Sequence, residues 1–186
     1  MYSLTFTEEV MSYKVIDNFL EEGDFKTLQS LILGNSDNAN FNWNIITDVA
    51  HHANANGFNE QKEEQLWNWY GIHPVYVNEI PLSPHYNYIT QLFCNKLEVK
   101  SLLRIKINFY PYTAEIEEHD PHQDYTNPHF GALFSLNTCN GYTKLSNGDK
   151  INSVANRVLL FDPSEYHNST TTSDQKGRYN INFNWF

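Results

Sequence analysis

The chain of 186 residues has only two cysteines, Cys94 and Cys139. Two cysteines make no disulfide framework, so a reduced intracellular protein is the expectation. Cations are scarce too: twelve Lys and Arg stand against twenty-two Asp and Glu, a formal net charge of -10. A surface of that sign repels phosphate backbones, whose binding rests on Lys and Arg, and so disfavours a nucleic acid as substrate. No apolar run approaches the roughly 18 residues that a membrane span needs. Met1 to Val10 lacks the basic flank and apolar centre of a signal peptide, so a soluble cytoplasmic protein is expected. There is no internal repeat and no linker.

What is present suits one domain, residues 1–186. The length allows a sizeable core, and 40% hydrophobic with 15% aromatic residues is a globular composition. Twenty-four Asn are scattered rather than clustered, which reads as composition bias and not as a polar tract. Tyr13 to Ile16 reads as a strand. A helix follows, with Phe25, Leu28, Leu31 and Ile32 at helical spacing and Gly34 as its C-cap. Residues 35–82 are irregular and aromatic, with short strands expected near Asn42–Ile46 and Tyr76–Val77 and a short helix over Glu60–Trp69. Ser83 and Pro84 suit the N-cap and N1 of a second helix, with Tyr88, Leu92, Phe93 and Leu97 as its apolar face and an end near Lys96–Val99. Leu102–Tyr110, Phe130–Leu136, Arg157–Phe161 and Arg178–Phe186 read as strands. In the last, Tyr179, Ile181, Phe183 and Trp185 share one face. Arg178, Asn180, Asn182 and Asn184 share the other, which suits a ligand cavity.

The chemistry concentrates in the last third, in His122-Gln123-Asp124 and in His167. Two histidines and a carboxylate form the pattern of a facial triad that holds non-haem Fe(II) on one side and leaves the other open. On an extended strand, residues i and i+2 point the same way, so His122 and Asp124 can reach one ion. His167 must come from another strand returning to the same mouth, as a two-sheet barrel allows. Arg178, eleven residues after His167, offers a site for an acidic co-substrate beside the metal.

These residues resemble the 2-oxoglutarate and Fe(II)-dependent oxygenase superfamily, whose signature is His-x-Asp, a distal His and then an Arg or Lys. Asn108-Phe109-Tyr110 resembles the Asn-x-Tyr segment of its AlkB-like branch, and Arg178-Tyr179-Asn180-Ile181-Asn182-Phe183 that branch's Arg-Tyr-Asn-Leu-Thr-Phe strand. That branch has a second Arg where this chain has Asn184. The short gap from His167 to Arg178 is closer to prolyl-hydroxylase-like members. The resemblance is close over about 100–186 and loose before it, which makes roughly 101–186 the catalytic core and 1–100 the N-terminal and lid region.

The resemblance implies a mainly β fold with flanking helices (α+β) around a double-stranded β-helix, the jelly-roll or cupin-like core. It implies Fe(II) on His122, Asp124 and His167. It implies 2-oxoglutarate on Arg178, Tyr110, Asn180 and Asn108, with O2 as the further co-substrate. The activity implied is that of a dioxygenase. It oxidises 2-oxoglutarate to succinate and CO2 and hydroxylates a C–H bond, in a prolyl-hydroxylase-like manner, on a protein, peptide, amino acid or other small molecule. The alternatives are an AlkB-like nucleic-acid demethylase, a catalytically inactive cupin-like binding protein, and a metal-dependent hydrolase or isomerase.

His119 and His129 are rival ligands, expected instead at the surface or pocket rim. His73 and His85 are expected as polar surface residues. His51 and His52 are adjacent, so on a strand they would face opposite ways. Part of residues 35–82, around Trp43–His52 or Trp67–Tyr76, is expected to pack over or beside the metal mouth as a mobile lid.

Overall fold

The computed structural model describes residues 13–34, 41–47, 49 and 66–186. In chain order they form β1 (Tyr13–Ile16), α1 (Glu22–Leu33), β2 (Asn44–Ile46), β3 (Tyr70–Val77), β4 (Ile80–Pro81), α2 (Tyr86–Phe93) and β5 (Leu102–Pro111). These are followed by β6 (Phe130–Ser135), β7 (Tyr142–Leu145), β8 (Lys150–Asn152), β9 (Arg157–Phe161), β10 (His167–Asn168) and β11 (Gly177–Trp185). The large sheet runs β1-β9-β6-β11-β5-β3-β2, with β4 added to β3. The small sheet runs β10-β7-β8. All ladders are antiparallel. Two sheets and two helices make the expected mainly β architecture.

The alternation in β5 and β11 decides the layering. Ile105, Ile107, Ile181, Phe183 and Trp185 face one way and join Phe25, Leu28, Ile32, Ile89 and Phe93 of the helices in one apolar cluster. Fully burying a side chain of this size contributes roughly 1.5–3 kcal/mol. The adhesive layer therefore lies outside the barrel, between the large sheet and the helices. The opposite faces of the same strands are polar and look into the space between the sheets. Register pairs them: Arg178 with Tyr110, Asn180 with Asn108, Asn182 with Lys106 and Asn184 with Arg104.

Helix α1 forms as expected. Phe25, Leu28 and Ile32 are buried, Glu22 and Asp24 sit in the first turn, and Gly34 at φ 75° ends it with its N–H on Ser30 O. A positive φ there suits glycine, which has no Cβ to clash. Helix α2 is shorter than expected. Ser83 does not cap it; its Oγ accepts the N–H of His85 at 3.1 Å in a preceding turn, and the helix starts at Tyr86. It gives way to turns after Phe93.

The described part of residues 35–82, namely 41–47, 49 and 66–82, is more regular than the sequence suggested. Tyr70–Val77 is an eight-residue strand paired along β5, and Pro74 within it coincides with a register shift. Proline has no N–H for the ladder, which hides such a strand from propensity. The expected helix over 60–69 is turn and coil in its described part, 66–69, and the rest lies outside the described residues.

Candidate active site

Between β5 and β6 the chain crosses to the small sheet. His122 and His167 form an isolated antiparallel bridge, each N–H donating to the other's carbonyl at 3.0 Å. Directly opposed residues project their side chains to the same face, and the two imidazoles lie 4.4 Å apart between centroids. Asp124 follows two residues on, its N–H anchored on Pro163 O at 2.9 Å. One ligand atom from each of His122, Asp124 and His167 lies within 4.8 Å of the others. The two-residue spacing therefore brings His122 and Asp124 together, although a single bridge rather than a ladder strand carries His122.

The electrostatics prepare these groups for a cation. Burial, then the neighbouring His167, push His122 down to about 3. Burial likewise lowers His167, whose Nδ1 meets Glu165 O at 3.0 Å. That bond puts the proton on Nδ1 and leaves Nε2 a lone pair. Burial would raise the Asp124 carboxyl, but Arg104 and then Lys106 hold it well below its ordinary value. At neutral pH the three are two neutral imidazoles and a carboxylate, the forms that ligate a metal. The donor set fits a divalent transition ion with open positions. Among the described residues the buried Nδ1 of His122 has no hydrogen-bond partner.

Asp124 is held from three sides. Arg104 Nη2 approaches Oδ1 at 2.6 Å, and the side-chain amides of Asn182 and Asn184 each donate to Oδ2 at 3.0 Å. Sequence reasoning missed Arg104 and Lys106 as site residues. The signal was available: they alternate with Ile105 and Ile107, so both had to share the face of Asn108 and Tyr110. Lys106 lies over the Tyr70 ring at 5.9 Å. Burial, then Arg104, push its ammonium down to about 8.

At the other end of the polar face lies Arg178, 1% exposed. Its Nε donates to Ser153 Oγ and its Nη2 to Thr143 Oγ1, both at 2.7 Å; Nη1 donates to Thr170 O at 3.3 Å. The guanidinium lies over the ring of buried Tyr110 at 5.5 Å. None of these partners is an anion. Between the two ends, Asn108 Nδ2 donates to Asn180 Oδ1 at 2.8 Å, leaving Asn108 Oδ1 and Asn180 Nδ2 buried and, among the described residues, unpaired. The residues singled out from the sequence, Asn108, Tyr110, His122, Asp124, His167, Arg178 and Asn180, thus line one interior.

The other histidines correct the expectation. His119 and His129 are not rim residues; they are 1% and 5% exposed. Neither joins the ligand cluster. His119 packs its ring against Tyr110 and Trp67, pairs Nδ1 with Ser169 Oγ at 2.9 Å and leaves Nε2 buried and, among the described residues, unpaired. His129 accepts from Asn184 Nδ2 through Nε2 at 3.1 Å. Nor are His73 and His85 free surface groups: both pack on Phe41, and His73 bridges Asn42 O and Ser83 Oγ, each at 2.8 Å.

The expected lid divides. Trp43 packs on Phe109 and Tyr179, whose ring faces point away from the polar interior. Tyr70 stacks on Tyr110 at 5.6 Å, so the start of β3 walls the cavity. His51 and His52 lie outside the described residues.

No family model matches the chain, and no curated protein does. Solved structures do match. A prolyl hydroxylase from Trichoplax adhaerens, in complex with a hypoxia inducible factor oxygen degradation domain peptide fragment, has a TM-score of 0.61 at 17% identity, over 94% of this chain and 83% of that one. A 2OG-Fe(II) oxygenase family oxidoreductase from Burkholderia pseudomallei scores 0.62 at 12% identity, over 93% and 84%. HygX from Streptomyces hygroscopicus, with nickel and 2-oxoglutarate bound, scores 0.57 at 9% identity, over 93% and 82%. At these identities the likeness is one of fold. The chain has the double-stranded β-helix of the 2-oxoglutarate and Fe(II) oxygenase structures, as the motif resemblance implied.

Proposed function

We propose that this protein is an Fe(II)- and 2-oxoglutarate-dependent oxygenase that hydroxylates a C–H bond of a protein or peptide, in the manner of the prolyl hydroxylases whose fold it shares. The observation that carries the reading is Arg178. A buried guanidinium with no carboxylate in ion-pair contact among the described residues is costly unless an anion completes the site. It stands at the far end of the same polar face whose near end, through Arg104, Asn182 and Asn184, meets Asp124 of the His122–Asp124–His167 cluster.

In this reading those three residues hold Fe(II) on one side. Arg178 takes the distal carboxylate of 2-oxoglutarate, for which its planar fork is suited. Asn180 Nδ2 and Asn108 Oδ1, unpaired among the described residues, supply a donor and an acceptor between the ends. Tyr110 closes the pocket under the guanidinium. The bound metal with 2-oxoglutarate and O2 supplies oxidative decarboxylation, to succinate and CO2, coupled to oxygen insertion into the substrate. The chain's own part is orientation of Asp124 by Arg104, Asn182 and Asn184, and exclusion of water by Tyr70 and Tyr110. A peptide is favoured over a nucleic acid by the net charge of -10, and by the peptide held in the Trichoplax neighbour.

Calorimetry with the Mn(II)-loaded protein tests this. Wild type should bind 2-oxoglutarate. Arg178→Ala should keep its metal and lose roughly 2–5 kcal/mol of 2-oxoglutarate binding, about 30-fold to several thousand-fold in affinity. Equal affinity in the two would place the carboxylate elsewhere. Turnover of the Fe(II)-loaded protein in air is then read as succinate released on a proline-containing peptide library.

A further inference from the structure

The interior face carries three cations, Arg104, Lys106 and Arg178, against the carboxylate of Asp124. Arg104 is spoken for by its 2.6 Å pair with Asp124. Arg178 and Lys106 have no carboxylate in ion-pair contact among the described residues. Lys106 stands opposite Asn182, whose amide reaches Asp124 at 3.0 Å. It is close enough to act electrostatically on His122, Asp124 and His167 alike. On β5 it lies four residues from Tyr110, the register partner of Arg178, and on the same face. One unneutralised cation thus flanks the metal ligands, and another closes the far end.

We propose that Lys106 is the second cation of a dianion site, holding the keto-acid end of 2-oxoglutarate beside the metal ligands while Arg178 holds the distal carboxylate. The proposal rests on the functional reading above and adds a residue and a selectivity to it. A ligand anionic at both ends satisfies both cations; a keto acid with one carboxylate satisfies only Lys106. A lysine suits the metal end because its ammonium is a compact charge on a flexible stem, able to meet a carboxylate that is also turned toward a metal.

The test compares 2-oxoglutarate with 2-oxobutyrate, which keeps the keto-acid end and lacks the distal carboxylate, on the Mn(II)-loaded full chain. Lys106→Met should weaken both ligands about ten- to hundredfold, the effect of losing one charge-assisted bond. Lys106→Arg should restore much of that binding. Arg178→Ala should weaken 2-oxoglutarate and leave 2-oxobutyrate as in wild type. Mn(II) binding by electron paramagnetic resonance should be retained in Lys106→Met, and thermal unfolding shows that the variant is folded; Lys106→Gln replaces it if it is not. Unchanged affinity of both ligands in a folded, metal-loaded Lys106 variant overturns the assignment while leaving the oxygenase reading intact. Failure of wild type to bind 2-oxoglutarate overturns that reading, and the assignment with it.

Discussion

Asn184 donates one hydrogen of its side-chain amide to Asp124 Oδ2 at 3.0 Å, and the other goes to His129 Nε2 at 3.1 Å. Its carbonyl oxygen accepts from Arg104 Nε at 3.1 Å. One buried amide therefore ties together the carboxylate, the guanidinium that neutralises it and a histidine behind them. Asn184→Ala strips a donor from Asp124 and leaves Arg104 Nε and His129 Nε2 without their partner. Metal affinity should fall about ten- to hundredfold, the usual effect of losing an outer partner of a ligand. Stability should fall by about 1–3 kcal/mol. Mn(II) titration and urea unfolding read the two effects separately.

Asp124→Ala should do more than abolish metal binding. It removes the carboxylate that faces Arg104 at 2.6 Å and that offsets the neighbouring charge of Lys106. Breaking a buried pair from one side costs about 3–5 kcal/mol. The metal-free variant should therefore unfold at clearly lower urea than metal-free wild type. An unchanged midpoint would show that Arg104 finds another partner or solvent.

The metal-free protein should lose stability in mild acid. Burial, with Arg178 adding to it, pushes His119 down to about 4, and burial with His167 pushes His122 down to about 3. Both are neutral in the fold and take a proton more readily when unfolded. Between their ordinary value near 6.5 and these lowered values the unfolded chain binds more protons, so stability rises with pH there. It is complete above about 6.5 and declines as pH falls, by up to about 1.4 kcal/mol per pH unit for each histidine. The low carboxyl of Asp124 adds its loss only further down. His119→Gln should flatten the upper part of the profile, measured as unfolding midpoint against pH.

Gly141 makes room for the side chain of Arg178. A Cβ there would lie 2.6 Å from the carbonyl oxygen of Thr171 and 2.9 Å from Cδ of Arg178. The backbone oxygen cannot yield easily, so the guanidinium would be displaced. Gly141→Ala should weaken 2-oxoglutarate, leave Mn(II) binding unchanged and cost about 1–3 kcal/mol in stability. An effect on the metal instead would mean that the small sheet moves as a whole.

The helix α1, the strands β1, β5, β6, β9 and β11 and the two faces of β11 were legible because each depends on local period. Alternation in a strand sends Ile181 and Phe183 one way and Asn180 and Asn182 the other, whatever the rest of the chain does. The triad was legible for the same reason, with a spacing of two that aligns His122 and Asp124 and a distal histidine that returns beside them. Arg178 stood out as a cation opening an apolar strand.

Pairing decided what local pattern left open. Arg104 and Lys106 gain their roles only when β5 lies against β11, which puts Arg104 beside Asn184 and both beside Asp124. His119 and His129 read as rim residues because the segment that holds them has no local period; the bridge to β10 carries them inward. Strand β3 emerges from an irregular stretch because β5 offers an open edge to pair with, a gain that Pro74 conceals. The sequence by itself determined which side chains share a face and which set of donors waits for a metal. Only the tertiary structure decided which charges neutralise one another, because that depends on distances across strands far apart in the chain. The result is a buried carboxylate already paired, and two cations with no carboxylate in ion-pair contact among the described residues.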